Sequence, residues 1–167
     1  MSGLEHTGFL GVTGVGKSHE VKKRLGCLPS TASRVVVVSP VDEWTSTSPE
    51  RKGPLKDAMT FDQFKADPAK LFDRHLALAL YGFPKLDGRA AAAAVRLLAR
   101  LQERAHDEFA AGRMAKPLPF LLVLDETGPV AKHCASELAA LATVGGQHLG
   151  ITVWTITQRP QLVPITV

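Results

Sequence analysis

The segment from Gly11 to Ser18 reads Gly-Val-Thr-Gly-Val-Gly-Lys-Ser, which fits the pattern G-x-x-x-x-G-K-S/T of a phosphate-binding loop. Glycines allow the backbone to turn successive N–H groups toward bound phosphates. Lys17 adds a positive charge near the β and γ oxygens, and the Ser18 hydroxyl is the expected Mg²⁺ ligand. The pattern therefore predicts a site for ATP and Mg²⁺, and its expected nucleotide-binding residues are Thr13, Gly14, Val15, Gly16, Lys17, Ser18 and His19.

The residues on both sides of the loop are those that such a site requires. Gly8 to Val12 is a short apolar strand candidate, and Lys17 to about Leu25 is a helix candidate that Gly26 ends. A helix that starts at the loop adds its N-terminal dipole to the field that attracts an anion.

The composition describes one ordinary globular domain spanning residues 1–167, with 45% apolar and 22% charged residues. No run of eighteen apolar residues predicts a membrane span, and the N-terminus lacks the regions of a signal peptide. Cys27 and Cys134 have no metal-ligand spacing and suit free thiols in a reducing cytoplasm. The net charge of +4 permits a polyanionic partner without requiring one.

Strand and helix patterns alternate along the chain, which predicts an α/β fold with a mostly parallel central sheet flanked by helices. Arg34 to Ser39 contains four consecutive valines, as in a strand buried on both faces. The other expected elements are a loop at Thr45 to Pro54, a short helix capped by Thr60 and Gln63, a strand at Arg74 to Tyr81, a long helix at Arg89 to Ala111 capped by Asp87, a strand at Phe120 to Leu124, a helix at Glu137 to Val144 and a strand at Ile151 to Thr157. The long helix has an apolar stripe of Ala94, Leu98, Leu101, Ala105 and Phe109.

Asp125 and Glu126 follow an apolar strand about a hundred residues after the loop, in the form of a Walker B motif. Asp125 is expected to hold Mg²⁺ close to Ser18, and Glu126 to polarise a water for attack on the γ-phosphate. An activated water favours hydrolysis coupled to work, whereas a metabolite kinase needs an acceptor site instead. Gln158 ends the last strand, and it either caps that strand or points toward the γ-phosphate.

These motifs resemble the FtsK–HerA superfamily of DNA-pumping ATPases, P-loop NTPases of the RecA-like (ASCE) type, and particularly the small viral genome-packaging ATPases. Two stretches depart from the family pattern. Ser39 stands where an Asp-Pro-x-x-Glu-aromatic pattern has its Asp, and Gln147 stands where a Gly-Arg-His-x-Gly pattern has its Arg. The likeness is carried by Gly11 to Ser18, Val35 to Trp44, Asp125-Glu126, and Gly145 to Gly150 leading into Thr157-Gln158-Arg159-Pro160.

The resemblance implies a homo-oligomeric ring, a pentamer or hexamer, that hydrolyses ATP between subunits and moves nucleic acid, expected to be double-stranded DNA, through its pore. It implies that Gln158 senses the γ-phosphate, and Arg159 takes the trans-acting role because position 147 is not arginine. A capsid or membrane-vertex protein is a further expected partner, and the expected location is the host cytoplasm or the virion. The family continues beyond Gln-Arg-Pro into another strand, so this chain resembles a minimal or C-terminally truncated member.

Two other functions stay open. Assembly ATPases of filamentous phages share the loop, the Asp-Glu pair and a strand that ends in Gln, and a small-molecule or nucleotide kinase would need an Arg-rich lid that the sequence lacks. Two segments are the preferred candidates for contact with DNA, Lys85 to Arg89 and Ala131 to His133, since both are expected to be loops at strand ends. We interpret Arg96, Arg100 and Arg104, on one helix face, as a solvated surface rather than as a binding site.

Overall fold

Six strands, all parallel, form one sheet in the order β1-β6-β5-β2-β4-β3. The computed structural model describes residues 5–11, 16–28, 33–46, 53–82 and 88–157. Its strands are β1 (Thr7–Leu10), β2 (Arg34–Val38), β3 (Asp57–Thr60), β4 (Ala77–Tyr81), β5 (Phe120–Leu124) and β6 (Ile151–Thr157). Its helices are α1 (Lys17–Gly26), α2 (Phe61–Ala66), α3 (Pro68–Arg74), α4 (Arg89–Ala110), α5 (Thr127–Leu141) and α6 (Val144–Leu149).

The central strands are apolar throughout because both faces of the sheet are covered. In β2, Val36 and Val38 pack with α2, α4 and α5 on one face, and Val35 and Val37 pack with α1 on the other. All five residues of β5 are buried. A strand with one solvated face would alternate apolar and polar residues, so the run of valines predicted this arrangement correctly.

The predicted α/β class and its parallel sheet are confirmed, but three local predictions are wrong. The strand β3 was not expected, and the segment before β4 forms α3, so β4 begins at Ala77 rather than at Arg74. Asp67 starts α3, because its side chain accepts a hydrogen bond from the Lys70 N–H and Pro68 occupies the first turn. Phe109, the last member of the predicted apolar stripe, is 42% exposed because it lies in the last turn of α4, near the end of the helix.

Helix α5 also differs from the prediction, since it begins at Thr127 and not at Glu137. Pro129 is tolerated in the first turn of this helix, where its missing N–H has no partner to lose. The backbone leaves helical geometry at Cys134, and the predicted helix corresponds to the second part of α5. Ala131 to His133 is therefore helical, which corrects its interpretation as a loop.

One buried polar side chain connects α4 to two loops. Gln102 is 1% exposed, and its Nε2 donates to the carbonyl oxygens of Leu118 and Leu149, each at 3.0 Å. Those two residues precede β5 and β6, so the amide fixes the points at which two central strands enter the sheet.

Within the part of the chain that the structure describes, no helix is long and apolar enough to cross a membrane.

Replacing this amide by an apolar group of similar size, in Gln102→Leu, is expected to lower the free energy of unfolding by about 2 kcal/mol, because two half-buried carbonyls lose their donor. Urea unfolding measures the loss. Glu103→Leu, at an exposed position of the same helix, is the matched control and should change stability by less than about 0.5 kcal/mol. Equal effects of the two substitutions would contradict this role of Gln102.

Candidate active site

The phosphate-loop residues that the structure describes lie where a loop passes from β1 into α1. Gly16 precedes the helix in a left-handed conformation with φ of 81°, and a Cβ placed on it would meet no atom of the described residues within 4 Å. Such a conformation costs any other residue about 1 kcal/mol, which explains the glycine. Thr13, Gly14 and Val15 lie outside the described residues.

The first residues of α1 carry the predicted charged and hydroxyl groups. Lys17 is half-buried, and its Nζ donates to the Gly11 carbonyl oxygen at 2.6 Å. This hydrogen bond joins the two ends of the loop and keeps the ammonium group beside it. Ser18 is half-buried at the second helical position, whereas the predicted His19 is exposed. The N-terminal dipole of a ten-residue helix adds to the positive potential here.

Asp125 and Glu126 follow β5 at the same edge of the sheet, because all the strands are parallel. Only β6 lies between β1 and β5. Neighbouring strands are about 4.8 Å apart, so the ends of β1 and β5 are separated by roughly 10 Å. A polyphosphate with its metal spans a distance of this order. The topology thus brings the loop and the Asp-Glu pair to one place, although some hundred residues separate them in the sequence.

The Asp125 carboxylate is buried and receives two hydrogen bonds on one oxygen. Trp44 Nε1 donates to Oδ2 at 3.0 Å and Ser39 Oγ donates to the same atom at 3.2 Å. Burial raises the pKa of Asp125 to about 6, the Trp44 and Ser39 hydrogen bonds oppose that rise, and the neighbouring Glu43 carboxylate adds to it. In its ionised form this side chain offers the oxygen atoms that Mg²⁺ prefers as ligands.

Glu126 differs from its neighbour in both exposure and backbone. Its side chain is exposed, and it is the one non-glycine residue with positive φ in the described part of the chain, at φ 57° and ψ 51°. Strained backbone of this kind is concentrated at functional sites, where it directs a side chain that a relaxed turn would aim elsewhere. The position lies between the end of β5 and the start of α5.

The end of β6 is joined to the end of β5 through Thr127. The Thr127 hydroxyl contacts the carbonyl oxygens of Leu124 at 3.0 Å and of Ile156 at 3.2 Å. This buried contact fixes the two strand ends relative to each other. Gln158 and Arg159, the predicted sensor and trans-acting arginine, follow directly after β6 and lie outside the described residues.

Sequence reasoning missed Trp44 and Thr127 as parts of this site. Ser39 and Trp44 were noted only for the resemblance that they carry, and a threonine after an acidic pair gives no distinctive pattern. The one signal in the sequence that could have indicated Trp44 and Thr127 is that each comes after the end of a central strand. Parallel strands gather such positions at a single edge.

Of the described residues, no group of three or more His, Cys, Asp or Glu side chains could hold a metal ion. Magnesium does not require one, because it keeps several waters and binds through one or two carboxylates together with substrate phosphates. The Ser18 hydroxyl and the Asp125 carboxyl, each next to the end of a parallel strand, carry oxygen atoms of the type that magnesium prefers. His148 is exposed on α6.

Comparison with known proteins adds no assignment. The chain matches no protein-family model, and a search of curated proteins finds no significant similarity. The family resemblance therefore depends on the motifs and their order.

The strain at Glu126 predicts an inverted preference between glycine and alanine. Glu126→Gly should be more stable than Glu126→Ala by about 1 kcal/mol, because glycine adopts positive φ without steric cost. At Glu103, an exposed position inside α4, the order should reverse, with glycine less stable than alanine by about 1 kcal/mol. Urea unfolding of the four variants measures both differences, and the same order at both positions would contradict the strained conformation.

The raised pKa of Asp125 predicts a pH-dependent cost of folding. The native carboxyl binds its proton more tightly than the unfolded chain, so its contribution to stability is present below the ordinary pKa of 3.8 and is lost as pH rises through about 6. Asp125→Asn cannot ionise and should be more stable than the native protein at about pH 8 but not at about pH 3.5.

Urea unfolding at both pH values measures this difference. Asp107→Asn, at an exposed position of α4, is the control and should show no comparable change with pH. If Asp125→Asn were equally stable relative to the native protein at both pH values, the burial of an ionised Asp125 would be contradicted.

Proposed function

We propose that this protein is an ATP-hydrolysing motor that moves double-stranded DNA as a homo-oligomeric ring, in viral genome packaging. The observation that carries the ATPase part is the sheet order, which puts β6 alone between the strand before the phosphate loop and the strand before Asp125-Glu126. The DNA part depends on the resemblance to the FtsK–HerA superfamily. Such a site also fits a P-loop NTPase of the RecA-like type.

In this proposal, Lys17 and the N-terminus of α1 bind the β and γ phosphates of ATP. Ser18 and Asp125 hold Mg²⁺, whose charge neutralises the phosphate oxygens when it is bound. Asp125 is suited to this role because its carboxylate is already fixed by two hydrogen bonds before any ligand arrives. Thr13, Gly14, Val15 and His19 complete the proposed nucleotide contacts.

Glu126 acts as the general base in this proposal. It is exposed at the edge where the phosphates would lie, while the neighbouring Asp125 is buried. A solvent-facing carboxylate can accept a proton from water, whereas a buried carboxylate is suited to binding a cation. The different environments of Glu126 and Asp125 therefore give the two acidic residues different roles in this proposal. Gln158 as γ-phosphate sensor and Arg159 as trans-acting arginine follow from the resemblance alone.

The proposed nucleic-acid contacts are supported by a close approach of two segments. Gly88, just before α4, lies against the backbone of Pro129 in α5, and a Cβ on it would come within 2.1 Å of the Pro129 oxygen. The approach brings the start of α4 near the first turn of α5, although Ala131 to His133 is helical and not the loop for which it was expected to contact DNA. Arg89 and Lys132 are both exposed there, and a duplex backbone needs only such sequence-blind positive charge.

Arg96 does not belong to a nucleic-acid surface. Its Nε donates to Glu137 Oε1 at 2.6 Å and its guanidinium also donates to the His133 carbonyl oxygen, so it links α4 to α5. Arg100 and Arg104, on the same helix, are exposed. The predicted arginine stripe therefore divides into one structural contact and two solvated charges.

Hydrolysis of ATP should increase on addition of double-stranded DNA, and Glu126→Gln should lower it by a factor of about 100 or more while ATP still binds. Lys17→Ala should remove both binding and hydrolysis. Phosphate release measures turnover, calorimetry measures ATP binding, and light scattering measures ring formation. The matched control is Glu103→Gln, an exposed substitution of the same chemistry on α4.

Each other outcome favours a different function. Hydrolysis that DNA does not stimulate would contradict the motor and favour an assembly ATPase of the kind found in filamentous phages. ATP binding without hydrolysis would contradict the ATPase. Phosphoryl transfer to a small molecule or a nucleotide would favour a kinase, and full turnover by Lys17→Ala would contradict the site itself.

A further inference from the structure

The indole of Trp44 is completely buried and donates a hydrogen bond to the carboxylate of Asp125. Trp44 is 0% exposed, and its Nε1 donates to Asp125 Oδ2 at 3.0 Å. Ser39, 1% exposed, donates to the same oxygen. Rotation of the carboxylate would break both hydrogen bonds, and in this dry environment the lost partners could not be replaced by water.

Trp44 is itself held in place by its neighbours. The Leu55 N–H donates to the Trp44 carbonyl oxygen at 3.1 Å, and the Gly53 N–H donates to the Thr45 carbonyl oxygen at 2.7 Å. A Cβ on Gly53 would come within 1.9 Å of the Trp44 oxygen, so the two backbones are in direct contact. A buried side chain on a backbone anchored in this way can orient another group without moving itself.

Helix α1 reaches the same tryptophan through Lys22. The Lys22 ammonium donates to the Glu43 carbonyl oxygen at 2.5 Å and lies 5.1 Å from the centre of the Trp44 ring. Lys22 follows Ser18 by one helical turn. The contacts therefore run without interruption from the helix that carries Ser18, through Trp44, to Asp125.

We propose that Trp44 is a positioning residue of the site, whose indole N–H orients the Asp125 carboxylate toward the metal–nucleotide complex. The inference rests on the proposed function, because it assigns a role in binding Mg²⁺ with ATP. Hydrogen-bond partners of a metal ligand fix its direction, and their loss typically weakens metal binding by about 10-fold to 100-fold. A tryptophan that served only to fill the core would have no such effect.

The chain provides its own control, since it contains two tryptophans. Trp154 in β6 is 5% exposed, and its Nε1 donates to the Glu5 carbonyl oxygen at 3.0 Å. Trp44→Phe and Trp154→Phe thus remove the same group from similarly buried positions. They differ in the acceptor that is lost, which is a site carboxylate in one case and a backbone carbonyl in the other.

The first experiment is a titration with Mg²⁺ in the presence of a non-hydrolysable ATP analogue. In Trp154→Phe, where Trp44 is the remaining tryptophan, the fluorescence should change as Mg²⁺ binds, because the charge on the carboxylate bonded to the indole is neutralised. In Trp44→Phe the remaining Trp154 should show no comparable change. An unresponsive Trp44 in protein that binds Mg²⁺ and the analogue by calorimetry would overturn the inference.

The second experiment measures the Mg²⁺ concentration that half-saturates this complex. Trp44→Phe should raise it about 10-fold and Trp154→Phe should leave it unchanged. Ser39→Ala removes the other donor to Oδ2 with a smaller change in volume, so it should act in the same direction and tests the idea if Trp44→Phe does not fold. In this proposal Trp44 and Ser39 act on Asp125 and not on the ATP phosphates. Both variants should therefore bind the analogue in the absence of Mg²⁺ as well as the native protein does.

The results separate this inference from the proposed function. Normal Mg²⁺ dependence in both Trp44→Phe and Ser39→Ala, with nucleotide binding intact, would overturn the role of Trp44 and leave the ATPase proposal standing. Failure of the unaltered protein to bind the analogue would overturn both.

Discussion

Parallel pairing of β1, β6 and β5 is the constraint on which the candidate site depends. A parallel sheet directs the carboxyl ends of all its strands to one edge, and here that edge carries Gly11 after β1 together with Asp125 and Glu126 after β5. The apolar character of β2 and β5 makes the arrangement stable, because both faces of these strands are buried beneath helices. The candidate site at this edge is thus supported by a mostly apolar core.

Burial of the Asp125 carboxylate at this edge is unfavourable for folding. Moving a carboxylate out of water costs free energy, which is expressed in its raised pKa, and the two hydrogen bonds to Oδ2 recover part of that cost. Replacing buried charged groups by well-packed apolar residues is often neutral or stabilising, so this carboxylate is not explained by stability alone. The strained backbone of Glu126, the next residue, is a second local cost at the same place.

The segment that follows β2 has a larger role than its irregular sequence suggests. It contributes Ser39 and Trp44 to the Asp125 carboxylate, and its Glu43 carbonyl accepts a hydrogen bond from Lys22 of α1. The same segment carries part of the resemblance to DNA-pumping ATPases, including the Glu-aromatic pair. A direct contact with Asp125 provides a physical reason for an aromatic residue with an N–H group at this position.

The sequence by itself determined the α/β class, the central strands β2, β5 and β6, and the positions of Lys17, Ser18, Asp125 and Glu126, because these follow from local patterns of apolar residues and short motifs. Only the tertiary structure decided which strand ends meet, the burial of Asp125 as against the exposure of Glu126, and the contacts of Trp44, Thr127 and Arg96. It also showed Ala131 to His133 to be helical. Local sequence cannot specify these features, since strand order, desolvation and side-chain partners arise from residues far apart in the chain.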